Sequence, residues 1–247
     1  MSRTTLTPAD RVFLGGVRAA LEGAADEQLR VRGLRSFREP VRPFGVRVAT
    51  VRTIAERTLE ALEPRDVERV WRLCDALGCS GWLEESYVAG YWAQAMSDAY
   101  RPADVHVFGR WLDSWVDNWA TCDALCGESV GRLLESAPQV APAVAAWAAS
   151  PNRWVRRGAA VSFVRPARRG LHLSTVLRVA DALLGDGDDL VRKGYGWMLR
   201  SASHAHPDEV FGYLMARRHV MPRVAFRYAL ESMDPERRDR AMGRSTP

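Results

Sequence analysis

Lysine is almost missing from this chain: of 35 basic residues only Lys193 is a lysine, and the rest are arginines. A GC-rich genome produces that bias through codon usage, so the abundance of arginine points to nothing by itself, and only its distribution carries information. Cysteine is scarce. None of the four, at 74, 79, 122 and 126, forms a CxxC pair or has a histidine at ligand spacing, so no metal is expected and the thiols read as small buried side chains in a reducing compartment. No apolar run approaches the ~18 residues that a membrane span requires. The opening MSRTTLTPAD is polar and leads straight into an amphipathic helix, unlike a secretory leader, and a cytoplasmic location is expected. A convincing period-2 run flanked by hairpin turns is also lacking, which argues against a sheet.

What remains is helical. The 247 residues, 47% of them hydrophobic, suffice for a core. Thr7 and Pro8 open a first helix carrying Val12, Leu14, Val17 and Leu21 at helical spacing, and a second runs from Asp26 to about Phe37. The segment Glu39 to Val46, with two prolines and a glycine, is a loop. Helices follow at about 49–62, 65–77, 82–99, 102–116, from Trp119 onward, and at 139–149, 152–164, 173–184, 188–202, 207–218 and 222–233, with a frayed tail over 243–247. The segments Asn152-Arg-Trp-Val-Arg-Arg-Gly158 and Asp188-Asp-Leu-Val-Arg-Lys-Gly194 resemble each other at a spacing of 36 residues, the period of HEAT-type helical pairs. The expected fold is all-α, one continuous α-α superhelix, or solenoid, over 1–247.

Chemistry concentrates in Trp111 to Cys126, WLDSWVDNWATCDALC, with three tryptophans and three aspartates. Asp117 or Asn118 can cap a helix there, whose buried stripe would be Cys122, Leu125, Cys126, Val130 and Leu133. Trp119 then stands one turn before Asp123, so an aromatic face and a carboxylate are presented sideways together. The plainer reading is that Trp119 caps the core and Asp123 pairs with a surface arginine.

Two stretches are basic. Arg153 to Arg169 holds six arginines and no acid, and Arg30, Arg32, Arg35, Arg38, Arg42 and Arg47 are interrupted only by Glu39. If the related helices stack in register, Arg156, Arg157, Arg192 and Lys193 fall on equivalent positions, a ladder suited to a phosphate backbone. The alternative is a pair of solvated helix faces. The basic, aromatic helix Pro222 to Tyr228 reads as a cap of the superhelix that could also meet DNA.

Four blocks, Phe44-Gly-Val-Arg-Val48, Trp119-x-x-x-Asp123, Asn152-x-Trp-Val-x-Arg157 and Lys193-Gly-Tyr-Gly-Trp-Met-Leu-Arg200, together resemble the AlkD-like family of DNA alkylation-repair glycosylases, in the family's order and over nearly the whole chain. The resemblance implies Asp123 as the catalytic aspartate, Trp119 and Trp197 against the lesion's deoxyribose, and Arg157 near the scissile nucleotide's phosphate. DNA contacts are expected from Arg153, Arg156, Lys193 and Arg200 as well. Phe37 stands where the family often has a tyrosine, and Asn118 and Ala120 flank Trp119 where the family has tryptophan and aspartate. The implied activity is excision of cationic N3- or N7-alkylated purines from double-stranded DNA, without base flipping and with room for bulky adducts. The protein would work as a monomer without cofactor, metal or membrane, associated with the nucleoid through DNA. Two other readings stay open: a non-catalytic HEAT-repeat binder of unusual DNA structures, and a helical-repeat scaffold for a protein partner.

Overall fold

A computed structural model describes residues 6–243, and among them every regular element is helical. The chain divides into two compact units, the first built from the described part of Met1–Tyr100 with Arg110–Leu125, the second from Arg101–Gly109 with the described part of Cys126–Pro247.

The first unit contains α1 (Pro8–Gly23), α2 (Glu27–Leu34), α3 (Val48–Glu60), α4 (Val67–Gly78), α5 (Leu83–Ala95), the end of α6 (Asp104–Ser114) and α7 (Trp119–Ala124). The expected start of α1 is realised as a capping box: Thr7 Oγ1 accepts from Asp10 N and the Asp10 carboxylate from Thr7 N. At its centre is α5, packed on α3, α4 and α7. Its Trp92 is fully buried and donates from Nε1 to the Ala55 carbonyl at 2.8 Å.

Buried acids tie the unit together. Arg18 of α1 forks onto Glu85 at 2.5 and 2.9 Å, and Arg69 of α4 meets Asp10 at 2.9 Å. Burial works against the charge on Asp10, but the hydrogen bonds from Thr7 and Arg69 outweigh it and hold the carboxyl below its ordinary range. Glu84, 3% exposed, accepts three backbone N–H groups, from Phe44 and Gly45 at 2.8 Å and from Val46 at 3.0 Å. That carboxylate organises the loop before α3, whose buried amides would otherwise be orphans. Gly45 takes φ +90°, and a Cβ there would sit 2.3 Å from the Asp26 carbonyl oxygen, so the loop requires glycine twice over.

The second unit holds the start of α6, then α8 (Gly131–Ser136), α9 (Ala141–Ala146), α10 (Arg153–Val161), α11 (Val164–Arg168), α12 (Leu173–Ala182), α13 (Asp189–Ala202), α14 (Pro207–Arg217), α15 (Arg223–Leu230) and α16 (Pro235–Met242). The long α13 packs against α10, α11, α12, α14 and α15. Polar contacts within the unit repeat at a nearly constant sequence separation. Arg165 meets Glu135 at a separation of 30 residues, Tyr213 meets Asp181 at 32, Arg153 meets Asp188 at 35 and His206 meets the Gly170 carbonyl at 36. Stacked helical pairs produce such a register, because each pair offers the same positions to the next. It agrees with the 36-residue recurrence in the sequence.

Three features depart from the sequence reading. The helix starting at Trp119 widens into a π-helical turn over Leu125–Val130 before α8. Two short helices, α11 and α16, have no counterpart in it. Of the tail expected to fray, only Gly243 is described, as the left-handed residue closing α16.

Candidate functional site

In the first unit the site is built on α7. Asn118, not Asp117, is the cap: its Oδ1 accepts from Ala120 N at 3.1 Å and Thr121 N at 3.0 Å, while its Nδ2 donates to Asp117 Oδ1 at 2.7 Å. The stripe Cys122, Leu125, Cys126, Val130 and Leu133 is buried as the spacing requires, each at 1% exposure or less. With that stripe inward, Trp119 is left 36% exposed and Asp123, one turn later, half-buried. The indole is anchored from the end of α2. Phe37 stacks on it with centroids 5.8 Å apart and an interplanar angle of 25°, and its Nε1 donates to the Ser36 carbonyl at 3.3 Å. The π-helical turn begins two residues after Asp123, an irregularity often found at functional sites.

In the second unit α10 and α13 carry the remaining candidates. Arg157, 5% exposed, donates to the Leu190 carbonyl and runs alongside Gly194, where a Cβ would lie 3.5 Å from its Cγ and Nη1. Trp197, Lys193 and Arg200 are half-buried on α13. A Cβ on Gly196 would fall 2.7 Å from the Ala225 carbonyl oxygen and from Tyr228 Cβ, so the close crossing of α13 and α15 beside Trp197 depends on that glycine.

The arginine run is less positive than its sequence suggests. Arg156 forms an ion pair with Asp186 at 2.6 Å and donates to the Ser150 and Pro151 carbonyls; Arg153 pairs with Asp188 at 2.9 Å and lies over the Trp154 ring; Arg200 pairs with Glu231. The acids arrive from the next repeat, about one period downstream, which a window on the run itself does not reach. Lys193 has no ion-pair partner among the described residues. Trp119 and Asp123 therefore belong to the first unit, and Arg153, Arg156, Arg157, Lys193, Trp197 and Arg200 to the second. Sequence reasoning missed Ser36 as the anchor of Trp119, and Asp186 and Asp188 as partners of the arginines; the 36-residue recurrence was the available signal for the latter.

Among the described residues no three His, Cys, Asp or Glu side chains gather as a metal site would require, and no helix is long and apolar enough to cross a membrane.

Residues 17–233 match the family described as DNA alkylation repair enzyme. The chain belongs to that family. Its fold is that of a solved protein from Enterococcus faecalis described as a predicted DNA alkylation repair enzyme, with a TM-score of 0.77, 16% identity, and 85% of this chain and 97% of that one covered. A second solved structure, smu.31 from Streptococcus mutans UA159, is similar at a TM-score of 0.57 and 20% identity, over 76% of this chain and 98% of the other. No curated protein matches the chain in sequence. Membership accounts for a net-positive chain having DNA as its partner.

Proposed function

We propose that this family member is a DNA glycosylase that hydrolyses the N-glycosidic bond of cationic N3- or N7-alkylated purines in duplex DNA, leaving the lesion unflipped and tolerating bulky adducts. The observation that carries the reading is Trp119, 36% exposed and one helical turn from Asp123, on a capped helix in a DNA alkylation repair enzyme.

The chemistry asks little of an acid. An alkylated purine already carries a positive charge, so when the C1′–N bond breaks its electron pair neutralises the base, which departs without prior protonation. The sugar is left with oxocarbenium character, and a water oxygen bonds to C1′ while its proton passes by way of the Asp123 carboxylate to solvent. A carboxylate ~4 Å from that charge, at an effective dielectric near 20, contributes about 4 kcal/mol, roughly a thousandfold in rate. The face of Trp119 would add about 0.5–2 kcal/mol of cation-π attraction, and the family resemblance assigns the same part to Trp197. Lys193 would meet a phosphate flanking the lesion directly, whereas Arg153, Arg156 and Arg200 would do so only by exchanging the carboxylates they hold here, and Arg157 by turning from the Leu190 carbonyl.

Asp123→Asn keeps the shape and removes the charge. Mass spectrometry of bases released from methylated duplex DNA should show 7-methylguanine or 3-methyladenine for the wild type and a loss of about a thousandfold for the variant, with duplex affinity retained. Excision by the variant at the wild-type rate would remove Asp123 from the mechanism, and binding without any excision by the wild type would favour a DNA-structure binder.

A further inference from the structure

The second unit spends most of its arginines internally: Arg153, Arg156, Arg165, Arg192, Arg200, Arg217 and Arg237 are all in ion pairs. Besides Lys193, several of the cations left over gather at one end. Arg218, Arg223, Arg227 and Arg238 have no ion-pair partner among the described residues, and all four line two clefts formed where α16 meets α15 and the end of α14.

The smaller cleft, about 200 Å³, has an apolar floor of Met221, Phe226 and Met242 and a rim of Arg218, His219 and Arg223, with no acid in its lining. The larger, about 410 Å³, shares Met242 and adds Arg227 and Arg238; of its two acids, Glu231 is engaged by Arg200. Arg223 and Arg227 are one helical turn apart and both exposed, so they share a face of α15. α16 starts at Pro235, after the family match ends at residue 233, and it supplies Arg238 and Met242. These walls therefore lie outside the stretch that defines family membership.

We propose that this paired cleft is a second phosphate-binding surface, which takes the backbone of undamaged duplex DNA. Arginine forks on an apolar floor bind phosphate oxygens while the floor covers the sugar edge. The inference rests on DNA being the partner, but not on any excision chemistry.

The test reads binding alone. Affinity of the full chain for an undamaged fluorescent duplex is measured between ~50 and ~200 mM salt for the wild type, for Arg218→Gln/Arg223→Gln, and for a variant that adds Arg227→Gln and Arg238→Gln. Each lost phosphate contact lowers the slope of log affinity against log salt by about 0.9, so the double variant should flatten it by about two units and the quadruple by about four. Over that range the wild type then loses roughly tenfold more affinity than the double variant. Glutamine keeps much of each side chain at these surface positions, and circular dichroism checks that the variants fold. Unchanged slopes in folded variants overturn the inference even if the wild type excises bases. Flattened slopes uphold it even if it does not. Loss of binding to polyglutamate with the DNA slope intact would reassign the cleft to an acidic polypeptide and overturn it as well.

Discussion

The two units hold their candidate tryptophans by different means. Trp119 is the first residue of a six-residue helix, and the polar and ring contacts that hold it come from a cap, a loop carbonyl and a stacked ring: Asn118, Ser36 and Phe37. Trp197 sits within the fourteen-residue α13, and what fixes it is the crossing of that helix over α15 at Gly196. The same contrast runs through the buried charges. In the first unit the buried carboxylate of Glu84 answers to backbone amides, and Glu85 and Asp10 to arginines 67 and 59 residues away in sequence; in the second, acids answer to arginines about one repeat away. Irregular backbone has to be tied down by individual polar bonds, whereas a repeat positions side chains by its own periodicity. Damage to the first unit should therefore come from removing acceptors, and damage to the second from adding volume.

The largest effect belongs to Glu84→Ala. It strands three buried N–H groups, which costs about 3–5 kcal/mol and, for a chain of this size, lowers the melting temperature by on the order of 10 °C. Thermal unfolding checks this. A drop of a degree or two would mean that the loop at Phe44–Val46 finds other acceptors and that the first unit is not organised as described.

Next comes a pair two residues apart on α13. Gly196→Ala places a Cβ against a carbonyl oxygen that cannot swing away, an overpacking cost of about 1–3 kcal/mol. Gly194→Ala meets only ordinary contacts at 3.5 Å, so helix propensity governs and the variant should gain up to about 1 kcal/mol. Opposite signs in thermal unfolding sharpen the comparison; equal signs would show that the α13–α15 crossing is not the tight one.

How much of this was legible beforehand follows the same division. Periodicity and caps disclosed Thr7, Asp26 and Asp188 as helix starts and the buried stripe from Cys122 to Leu133, because those signals lie within a few residues of what they specify. The recurrence at 152 and 188 disclosed the repeat. The neutralisation of Arg153 and Arg156 by Asp188 and Asp186 lies one period away and is invisible to a run of seventeen residues. Glu84 and Glu85 look like an ordinary acidic first turn, and only tertiary packing buries them. α16 was missed because PERRDRAM has no apolar stripe; Ala241 alone is buried.

The smallest effect tests the cap on which Trp119 depends. Asn118→Ala removes the acceptor for Ala120 N and Thr121 N, at a cost of about 1 kcal/mol or a fall of about 2–4 °C in melting temperature. Asn118→Ser restores an acceptor without placing a second carboxylate beside Asp117, so it should recover most of that loss. Hydrogen exchange at the Ala120 and Thr121 amides separates the local effect from the global one, since protection there should fall in the alanine variant by more than the change in stability explains. If the alanine variant protects those amides as well as the serine one, the start of α7 is held by its packing on α5, and the first unit positions its tryptophan by the same logic as the second.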